Sequence, residues 1–252
     1  MLSFTEAQKT INEFAHSFGT EELEPENALG RVLAQNIYSD RDYPPFNRSA
    51  MDGFAIRNED ILNGIRQFKI IDTIYAGKTT GKEITTGQCF KIMTGASVPL
   101  SADAVIRVED SKITGDEVSF NVNEVRPFQN IAQRGEDAKA DSLLAGKSLL
   151  ISPSLIGLLA TLGKQKVLVE RLPSVAVITT GDEVVLAGNA VSNVEIRNSN
   201  LPVLKALFKK WNIETAYSIH VTDDKDKLLT AITNALSYDI VVISGGVSAG
   251  DA

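Results

Sequence analysis

The sequence feature that most constrains the fold is an alternation of short apolar runs and longer amphipathic segments after Pro173. The apolar, β-branched runs predict strands, and the segments between them, which have apolar residues at helical spacing, predict helices. We place strands at 175–178, 216–221 and 240–243 and helices at 200–211 and 222–236. This β-α-β-α-β order predicts a parallel sheet with helices packed on its faces.

Both of these helices are predicted to turn a leucine-rich face toward the sheet. The residues expected to point inward are Leu201, Leu204, Leu207 and Phe208 in the first helix and Leu228, Leu229, Ile232 and Leu236 in the second. We expect Thr222 to cap the second helix and Asp223 and Asp224 to complement its positive amino-terminal end.

Polar loops follow the first and third strands of the predicted sheet. The first loop reads Thr179-Thr180-Gly181-Asp182-Glu183, and the other reads Ser244-Gly245-Gly246-Val247-Ser248-Ala249-Gly250. Because parallel strands end at the same edge of a sheet, we expect the two loops to converge on one crevice. Glycines allow a ligand to approach the main chain closely, although an isolated Ser-Gly-Gly would more often be a simple turn.

Carboxylates in one loop and bare backbone donors in the other predict a particular chemistry. Phosphate would be repelled by Asp182 and Glu183 unless a cation lay between them, and Mg²⁺ is typically held by one or two carboxylates plus phosphate oxygens. A Mg²⁺-dependent phosphoanhydride site, with Asp182 and Glu183 as metal ligands, is therefore one interpretation. The alternative is that both residues only keep a loop soluble.

The first part of the chain has a different pattern of apolar residues. Apolar positions at helical spacing predict a helix over 5–18 with a Thr5–Gln8 capping box, and Leu29, Val32, Leu33 and Ile37 form a second apolar stripe. Short strands over 67–125, with a tight hairpin at 113–118, predict a small barrel or sandwich. A further helix is expected to begin at Ser152-Pro153 and to end at Gly163.

Three polar stretches lie within or beside this β-rich region. Asp52-Gly53 and Thr94-Gly95 both read as turns, although Asp52 could instead be a functional carboxylate on a loop. Residues 129–138 have no clean period and predict a loop, in which Arg134, Glu136 and Asp137 fit a solvated charge cluster.

Composition excludes several classes of function. A net charge of -7 and the lack of a basic stripe argue against nucleic-acid binding. The longest apolar segment, 149–162, is interrupted by Ser152-Pro153-Ser154, so we expect no membrane span. With one cysteine, Cys89, and no evident secretory signal, a reducing cytoplasm is the expected compartment. Two histidines make a zinc site or a Ser-His-Asp triad a poor interpretation.

Five motifs occur in a defined order, and together they resemble the molybdopterin molybdenumtransferase family, which includes bacterial MoeA and the E domain of gephyrin. The motifs are P-P-F-N-R-S-A-M-D-G-F-A, I-M-T-G-A-S-V-P, N-I-A-Q-R-G-E-D, T-T-G-D-E-V and S-G-G-V-S-A-G-D. They run from Pro44 to the end of the chain, and the N-terminal segment fits the family as well. The resemblance thus covers essentially all of these 252 residues.

The resemblance implies that the protein inserts molybdenum from molybdate into adenylylated molybdopterin, with Mg²⁺ and with release of AMP. It implies catalytic positions at Asp52, Thr94, Asp137 and Glu183. The cofactor-binding set is then Thr180, Gly181, Asp182, Asp223, Ser244, Gly245, Gly246, Val247, Ser248 and Gly250. The family also implies a homodimer, with molybdopterin adenylyltransferase as the upstream partner.

The resemblance further implies an α/β multidomain architecture. We expect a helical and extended N-terminal domain (1–44 plus 146–172), an inserted β-rich domain (45–145) and an incomplete molybdopterin-binding α/β domain (173–252). The C-terminal β domain of the family is expected to be absent from this chain, so that the chain alone would be weak or inactive. A non-catalytic cofactor-binding or scaffold relative is the alternative to an enzyme.

The sequence departs from the family's usual motifs at three positions. Asn47 stands where Asp usually follows P-P-F, Ser97 stands where Pro is usual, and Asn198 stands where many relatives have Asp. These departures affect local charge and loop rigidity.

Overall fold

The computed structural model of the chain describes residues 2–245. The predictions made for Gly246, Val247, Ser248 and Gly250 fall outside the described residues. The chain divides into two compact units. We name Met1–Asn36 with Gly146–Ala252 the discontinuous unit and Ile37–Ala145 the inserted unit. The finer boundaries expected near residues 44 and 172 stay predictions.

The described residues form an α/β chain, as predicted. The helices are α1 (Phe4–Phe14), α2 (Asn58–Leu62), α3 (Pro153–Thr161), α4 (Asn200–Lys210) and α5 (Lys225–Ala235), with 3₁₀ turns at Pro25–Ala28 and Val108–Asp110. The strands are β1 (Thr20–Leu23), β2 (Ile37–Tyr38), β3 (Arg48–Ser49), β4 (Gly53–Ile56), β5 (Gln67–Ile74), β6 (Gln88–Ile92), β7 (Ala104–Arg107), β8 (Ser111–Thr114), β9 (Glu117–Phe120), β10 (Ile131–Ala132), β11 (Leu143–Ala145), β12 (Val167–Glu170), β13 (Val175–Thr180), β14 (Val184–Val185), β15 (Ile196–Arg197), β16 (Thr215–Val221) and β17 (Ile240–Ser244). None of the helices within residues 2–245 is long and apolar enough to cross a membrane.

The discontinuous unit contains the predicted parallel sheet. Its strand order is β16-β13-β17, and β13 pairs in parallel with both neighbours. The central strand is buried from Val175 to Thr179, because α4 and α5 both pack against it. The prediction of strands, helices and parallel order in this region is confirmed.

The predicted inward faces of the two helices are only partly correct. In α5 the buried face is formed by Ala231 and Ala235, with Leu228 and Ile232 partly buried, which is an i, i+3, i+4, i+7 series. Three leucines that were predicted to point inward are exposed instead: Leu207 (45% exposed), Leu229 (60%) and Leu236 (71%). The cap of α5 is Asp224 rather than Thr222, since the Asp224 carboxylate accepts hydrogen bonds from the backbone of Asp226 and Lys227.

Two predictions for the N-terminal segment are wrong. The capping box of α1 is Ser3–Glu6, two residues earlier than Thr5–Gln8, and the helix ends at Phe14. The stripe at 29–37 is not helical. Val32 and Leu33 instead form isolated bridges with Leu150 and Val169, because this segment lies against other extended chain.

The inserted unit is built on one six-stranded mixed sheet rather than a barrel or sandwich. Its order is β7-β4-β6-β5-β9-β8, with β5 and β6 parallel and the other pairs antiparallel. Alternating residues of β4 enter different cores, with Phe54 and Ile56 in one and Ala55 in the other. The sheet is therefore covered on both faces. The loop predicted at 129–138 contains the two-residue strand β10, which pairs with β3.

Candidate functional site

Loops at the carboxyl edge of the parallel sheet bring polar side chains together in the discontinuous unit. Asp182 and Glu183 follow β13, and Asp223 follows β16. The backbone N–H of Asp223 donates a hydrogen bond to Oδ1 of Asp182 over 3.0 Å. All three side chains are exposed. The prediction joined the loops after the first and third strands, whereas this contact joins the loops after the first and second strands, each of which carries an acidic residue.

Two glycines bring the backbone unusually close to neighbouring groups at this edge. Gly245 has φ +124°, and a Cβ added there would lie 2.3 Å from Oγ1 of Thr180, so the chain at Gly245 passes directly over Thr180. Gly181 has φ +133°, and its added Cβ would lie 2.8 Å from Oε2 of Glu183. The Glu183 carboxylate therefore folds back over Gly181, at the end of the central strand. Side chains at either glycine would displace these contacts and strain the backbone.

A polar network beneath the loops connects β13, β16 and the segment that leads into α4. The side-chain amide of Asn198 donates to Oγ1 of Thr179 over 2.8 Å, and the same oxygen lies 3.1 Å from Nδ1 of His220. Oδ1 of Asn198 accepts a hydrogen bond from the backbone of Leu201 in the first turn of α4. Thr179 and Asn198 are both buried. This network fixes the start of α4 to the end of β13.

A second contact fixes the same helix to the third strand. The amide of Asn200 donates to Oγ of Ser244 over 2.8 Å. Ser244 is thus a structural partner of α4 as well as a predicted cofactor-binding residue. Sequence reasoning named neither Asn200 nor the Asn198–Thr179–His220 network as parts of the site. One signal was present, namely a polar Thr179 at the end of an otherwise apolar run.

The predicted metal ligands have a suitable chemistry but do not form a closed cluster. No group of three or more His, Cys, Asp or Glu residues placed to hold a metal ion occurs within residues 2–245. Mg²⁺ requires fewer protein ligands, since it is usually held by one or two carboxylates together with substrate phosphates and water. The exposed carboxylates of Asp182 and Glu183 fit that donor set, and their assignment as Mg²⁺ ligands stays a prediction.

In the inserted unit, two motifs meet through strand pairing. Because β4 and β6 are antiparallel neighbours, with Gly53 opposite Ile92, the start of β4 lies beside the end of β6. Asp52 and Thr94 occupy these two ends. Oδ1 of Asp52 accepts hydrogen bonds from both the backbone N–H and the hydroxyl of Thr94, each at 2.7 Å.

These hydrogen bonds stabilise the ionised form of the Asp52 carboxyl. They lower the pKa of the Asp52 carboxyl below its ordinary value, with the backbone N–H of Thr94 contributing most and its hydroxyl next. Asp52 is exposed, and both hydrogen bonds fall on Oδ1, so Oδ2 faces no hydrogen-bond donor within residues 2–245. The turn predicted at Asp52-Gly53 is a bend before β4, and its carboxylate is held in place as well.

Asp137 lies on a loop attached to the proline-rich segment of the same unit. Its backbone N–H donates to the carbonyl of Tyr43 over 2.9 Å, and Gly135 donates likewise to Pro44. The Asp137 side chain is exposed. The structure thus shows Asp52 and Thr94 in direct contact, whereas no hydrogen bond joins Asp137 to either of them. The catalytic roles of Asp52, Thr94, Asp137 and Glu183 stay predictions.

Two family descriptions together match nearly the whole chain. Residues 2–163 match "MoeA N-terminal region (domain I and II)", and residues 176–252 match "Probable molybdopterin binding domain". Among curated proteins, a molybdopterin molybdenumtransferase of Staphylococcus epidermidis is 38% identical over 232 residues. One of Staphylococcus aureus is 37% identical over 234 residues. Each alignment covers 90% of this chain and 55% of the relative.

Solved structures lead to the same family. Two structures of the molybdopterin biosynthesis MoeA protein of Pyrococcus horikoshii superpose with TM-scores of 0.84 and 0.89, at 33% and 32% identity. Each covers 98% of this chain, which corresponds to 64% and 67% of the respective Pyrococcus chain. The chain therefore spans just over half the length of the curated relatives that it matches. Its match from residue 2 to residue 163, together with the similarity in fold and sequence, shows that the chain belongs to the MoeA family.

Proposed function

We propose that this protein inserts molybdenum from molybdate into adenylylated molybdopterin, with Mg²⁺ and with release of AMP. Membership of the MoeA family and the names of the curated relatives support a role in molybdenum cofactor biosynthesis. The single observation that carries the finer proposal is the edge of the parallel sheet. There, Asp182 contacts the loop of Asp223, and Glu183 lies over Gly181.

The residues at that edge suit a phosphoanhydride substrate. The backbone at Gly181 and Gly245 has no side chain that would keep a phosphate or a pterin away from the main chain. The carboxylates of Asp182 and Glu183 would hold Mg²⁺, which when bound neutralises phosphate charge and polarises the phosphoryl group. The network of Asn198, Thr179 and His220 keeps the loops in position beneath the substrate.

Asp52 and Thr94 are proposed to contribute a carboxylate that is ionised at neutral pH. The Thr94 hydrogen bonds lower the pKa of Asp52 further below neutral pH and hold its carboxylate in place, so Oδ2 can accept a hydrogen bond from a water or a hydroxyl of the substrate. Thr94 thus acts on Asp52, which is the group that would touch the substrate. Asp137 is proposed as a further acidic residue of the same reaction.

The remaining parts of the proposal concern the cellular setting. We propose a cytoplasmic homodimer that receives its substrate from a molybdopterin adenylyltransferase. The single cysteine, which rules out an intrachain disulfide, is in keeping with a reducing compartment. The 252-residue chain by itself is expected to turn over weakly or not at all.

The test is an assay with adenylylated molybdopterin, molybdate and Mg²⁺ as the only additions. AMP release is followed by chromatography and bound molybdenum by elemental analysis, for this chain and for any longer product of its gene side by side. We expect both signals to require Mg²⁺ and to fall roughly tenfold or more in Asp52→Asn and Glu183→Gln. The matched controls Asp116→Asn and Glu214→Gln change exposed acidic residues elsewhere in the same units and should retain activity.

Two results would contradict the proposal. AMP release that needs neither Mg²⁺ nor molybdate would exclude the insertion reaction. Tight binding of adenylylated molybdopterin without any AMP release, by this chain and by any longer product of its gene, would favour the non-catalytic binding or scaffold alternative.

A further inference from the structure

A cavity of about 330 Å³ opens in the inserted unit, and none of the predicted catalytic residues lines it. Its wall combines four segments distant in sequence. The lining residues are Pro45, Phe46, Asn47, Thr79, Thr80, Ser97, Val98, Pro99, Leu100 and Arg134. Backbone hydrogen bonds hold two of these segments together, since Val98 donates to the carbonyl of Asn47 over 2.8 Å. The cavity is thus part of the folded framework of this unit.

The charge of the wall is the opposite of the charge of the chain. The chain carries a net charge of -7, yet no carboxylate lines the cavity and Arg134 is its one ionisable side chain. The other polar side chains are neutral hydroxyls and one amide. Such a wall attracts an anion and does not suit a cation.

Arg134 is held in a way that leaves part of its guanidinium available. Its Nε donates to Oδ2 of Asp42 over 2.8 Å, and its backbone N–H donates to Oδ1 of Asn47 over 2.9 Å. Neither Nη1 nor Nη2 donates a hydrogen bond within residues 2–245. Two parallel N–H groups of this kind are the usual means of binding an oxyanion in a bidentate manner.

The partner of Arg134 is itself firmly placed. Asp42 is only 18% exposed, and its pKa is lowered chiefly by a hydrogen bond from the backbone of Ala140 and then by Arg134. Asp42 therefore stays ionised and fixes the Nε side of the guanidinium. The sequence predicted a solvated charge cluster of Arg134, Glu136 and Asp137; all three side chains are exposed, and Arg134 is in addition paired with Asp42.

Further donors and an apolar surface complete the cavity. The hydroxyls of Thr79 and Ser97 make no hydrogen bond within residues 2–245, and neither does the amide nitrogen of Asn47. Phe46 is 40% exposed and Leu100 is fully exposed at the same site. A ligand that satisfies both surfaces has an oxyanion with several acceptor oxygens and an apolar or aromatic part.

We propose that this cavity binds a small organic phosphate, with the phosphate on Arg134, Asn47 and Ser97 and the apolar part against Phe46 and Leu100. Phosphate is favoured over carboxylate because the wall offers more donors than two carboxylate oxygens can use. The proposal goes beyond the insertion reaction, and its test requires neither Mg²⁺ nor molybdopterin.

The experiment is a ¹H–¹⁵N NMR titration of the 252-residue chain with phenyl phosphate in the absence of metal ions. We expect saturable shifts of the backbone amides of Phe46, Asn47, Ser97, Val98, Leu100 and Arg134. Arg134→Gln should weaken binding about tenfold or more, since it removes the charged donor. The matched control Arg107→Gln removes an exposed arginine that is likewise paired with a carboxylate, Asp110, and should leave the affinity unchanged.

A second variant, Asn47→Asp, keeps the proposal testable if Arg134→Gln does not fold. Asn47→Asp keeps an oxygen that can accept from the backbone of Arg134 but places a negative charge in the wall, so it should abolish phosphate binding while the spectrum stays folded. Phenyl phosphate binding that survives Arg134→Gln or Asn47→Asp would overturn the proposal. Equal affinity for benzoate would overturn the choice of phosphate, and equal affinity for inorganic phosphate would overturn the role of the apolar wall.

Discussion

The two units place their acidic residues by different means. In the inserted unit, Asp52 is held by two hydrogen bonds from a single residue, Thr94, which reaches it through the pairing of β4 with β6. In the discontinuous unit, Glu183 is set by a close approach to the Gly181 backbone, and Asp182 by the neighbouring loop. One carboxylate is fixed by a sheet ladder, whereas the other two rest on loops.

This difference indicates which part of each unit can vary without loss of the site. The position of Asp52 depends on the packing of the antiparallel ladder, which is a core property. The edge loops depend on a polar network below them, formed by Asn198, Thr179 and His220. A change in the first should therefore unfold the inserted unit, whereas a change in the second should loosen the loops and leave most of the discontinuous unit folded.

The largest effect is expected from Gly53→Ala. A Cβ at position 53 would lie 2.0 Å from the backbone oxygen of Ile106, and a backbone atom within the sheet cannot move aside easily. We expect the inserted unit to lose at least about 3 kcal/mol of stability, measured by urea denaturation. The control Gly81→Ala lies in the same unit with nothing within 4 Å of its added Cβ, and should change stability little. A loss of stability in Gly53→Ala no larger than that in Gly81→Ala would mean that the β4–β7 pairing is not rigid.

A smaller effect is expected from Asn198→Ala in the discontinuous unit. The substitution leaves the buried Thr179 hydroxyl without its amide donor and removes the acceptor for the backbone of Leu201. We expect a loss of about 1–3 kcal/mol together with faster hydrogen exchange in the first turn of α4. Asn198→Asp keeps an acceptor for Leu201 and should cost less. Unchanged exchange in α4 with the alanine variant would show that the network does not hold the helix.

The comparison also explains what the sequence could and could not predict. The strands of the parallel sheet were placed within a residue or two, because an apolar β-branched run buried on both faces has few alternatives. The stripe at 29–37 failed because Gly30, at φ +73°, turns the chain away from helix and Leu33 is buried by a bridge to Val169. Periodicity alone cannot distinguish these outcomes.

Contacts distant in sequence were the other part that sequence reasoning could not supply. The resemblance named Asp52 and Thr94 separately, but their hydrogen bonds span 42 positions and depend on strand order within the sheet. The bond between Asn198 and Thr179 and the contact of Thr179 with His220 span 19 and 41 positions. The cavity at Arg134 likewise joins four separate segments, so local patterns suggested only a solvated charge cluster there.

Thr94→Val should give a still smaller effect, confined to one carboxyl group. The substitution removes the hydroxyl donor but keeps the backbone N–H, so the Asp52 pKa should rise part of the way toward its ordinary value. The Asp52 interaction stabilises the folded state above the unfolded pKa, near 3.9, and is lost as pH falls through the lowered folded pKa. Carboxyl ¹³C NMR titration measures the Asp52 pKa in the unsubstituted protein and in Thr94→Val. Asp72, whose pKa is lowered by Lys82 and Thr73, serves as the internal control. An Asp52 midpoint that does not move would show that the backbone N–H alone sets the charge.

The smallest expected effect tests whether the two units open independently. Cys89 is fully buried in the core of the inserted unit, and burial raises its thiol pKa to about 12, so a thiol reagent at pH 8 reports only opening of that unit. The pKa of the thiol is higher in the folded state than in the unfolded state, where it lies near 8.5. The buried neutral thiol therefore makes its full contribution to folding stability below about pH 8.5, and this contribution is lost as the pH rises toward 12. We expect Gly53→Ala to accelerate labelling and Asn198→Ala to leave the rate unchanged. Faster labelling in Asn198→Ala would mean that the network at the sheet edge also stabilises the inserted unit. The two units would then differ in their local contacts but would not unfold independently.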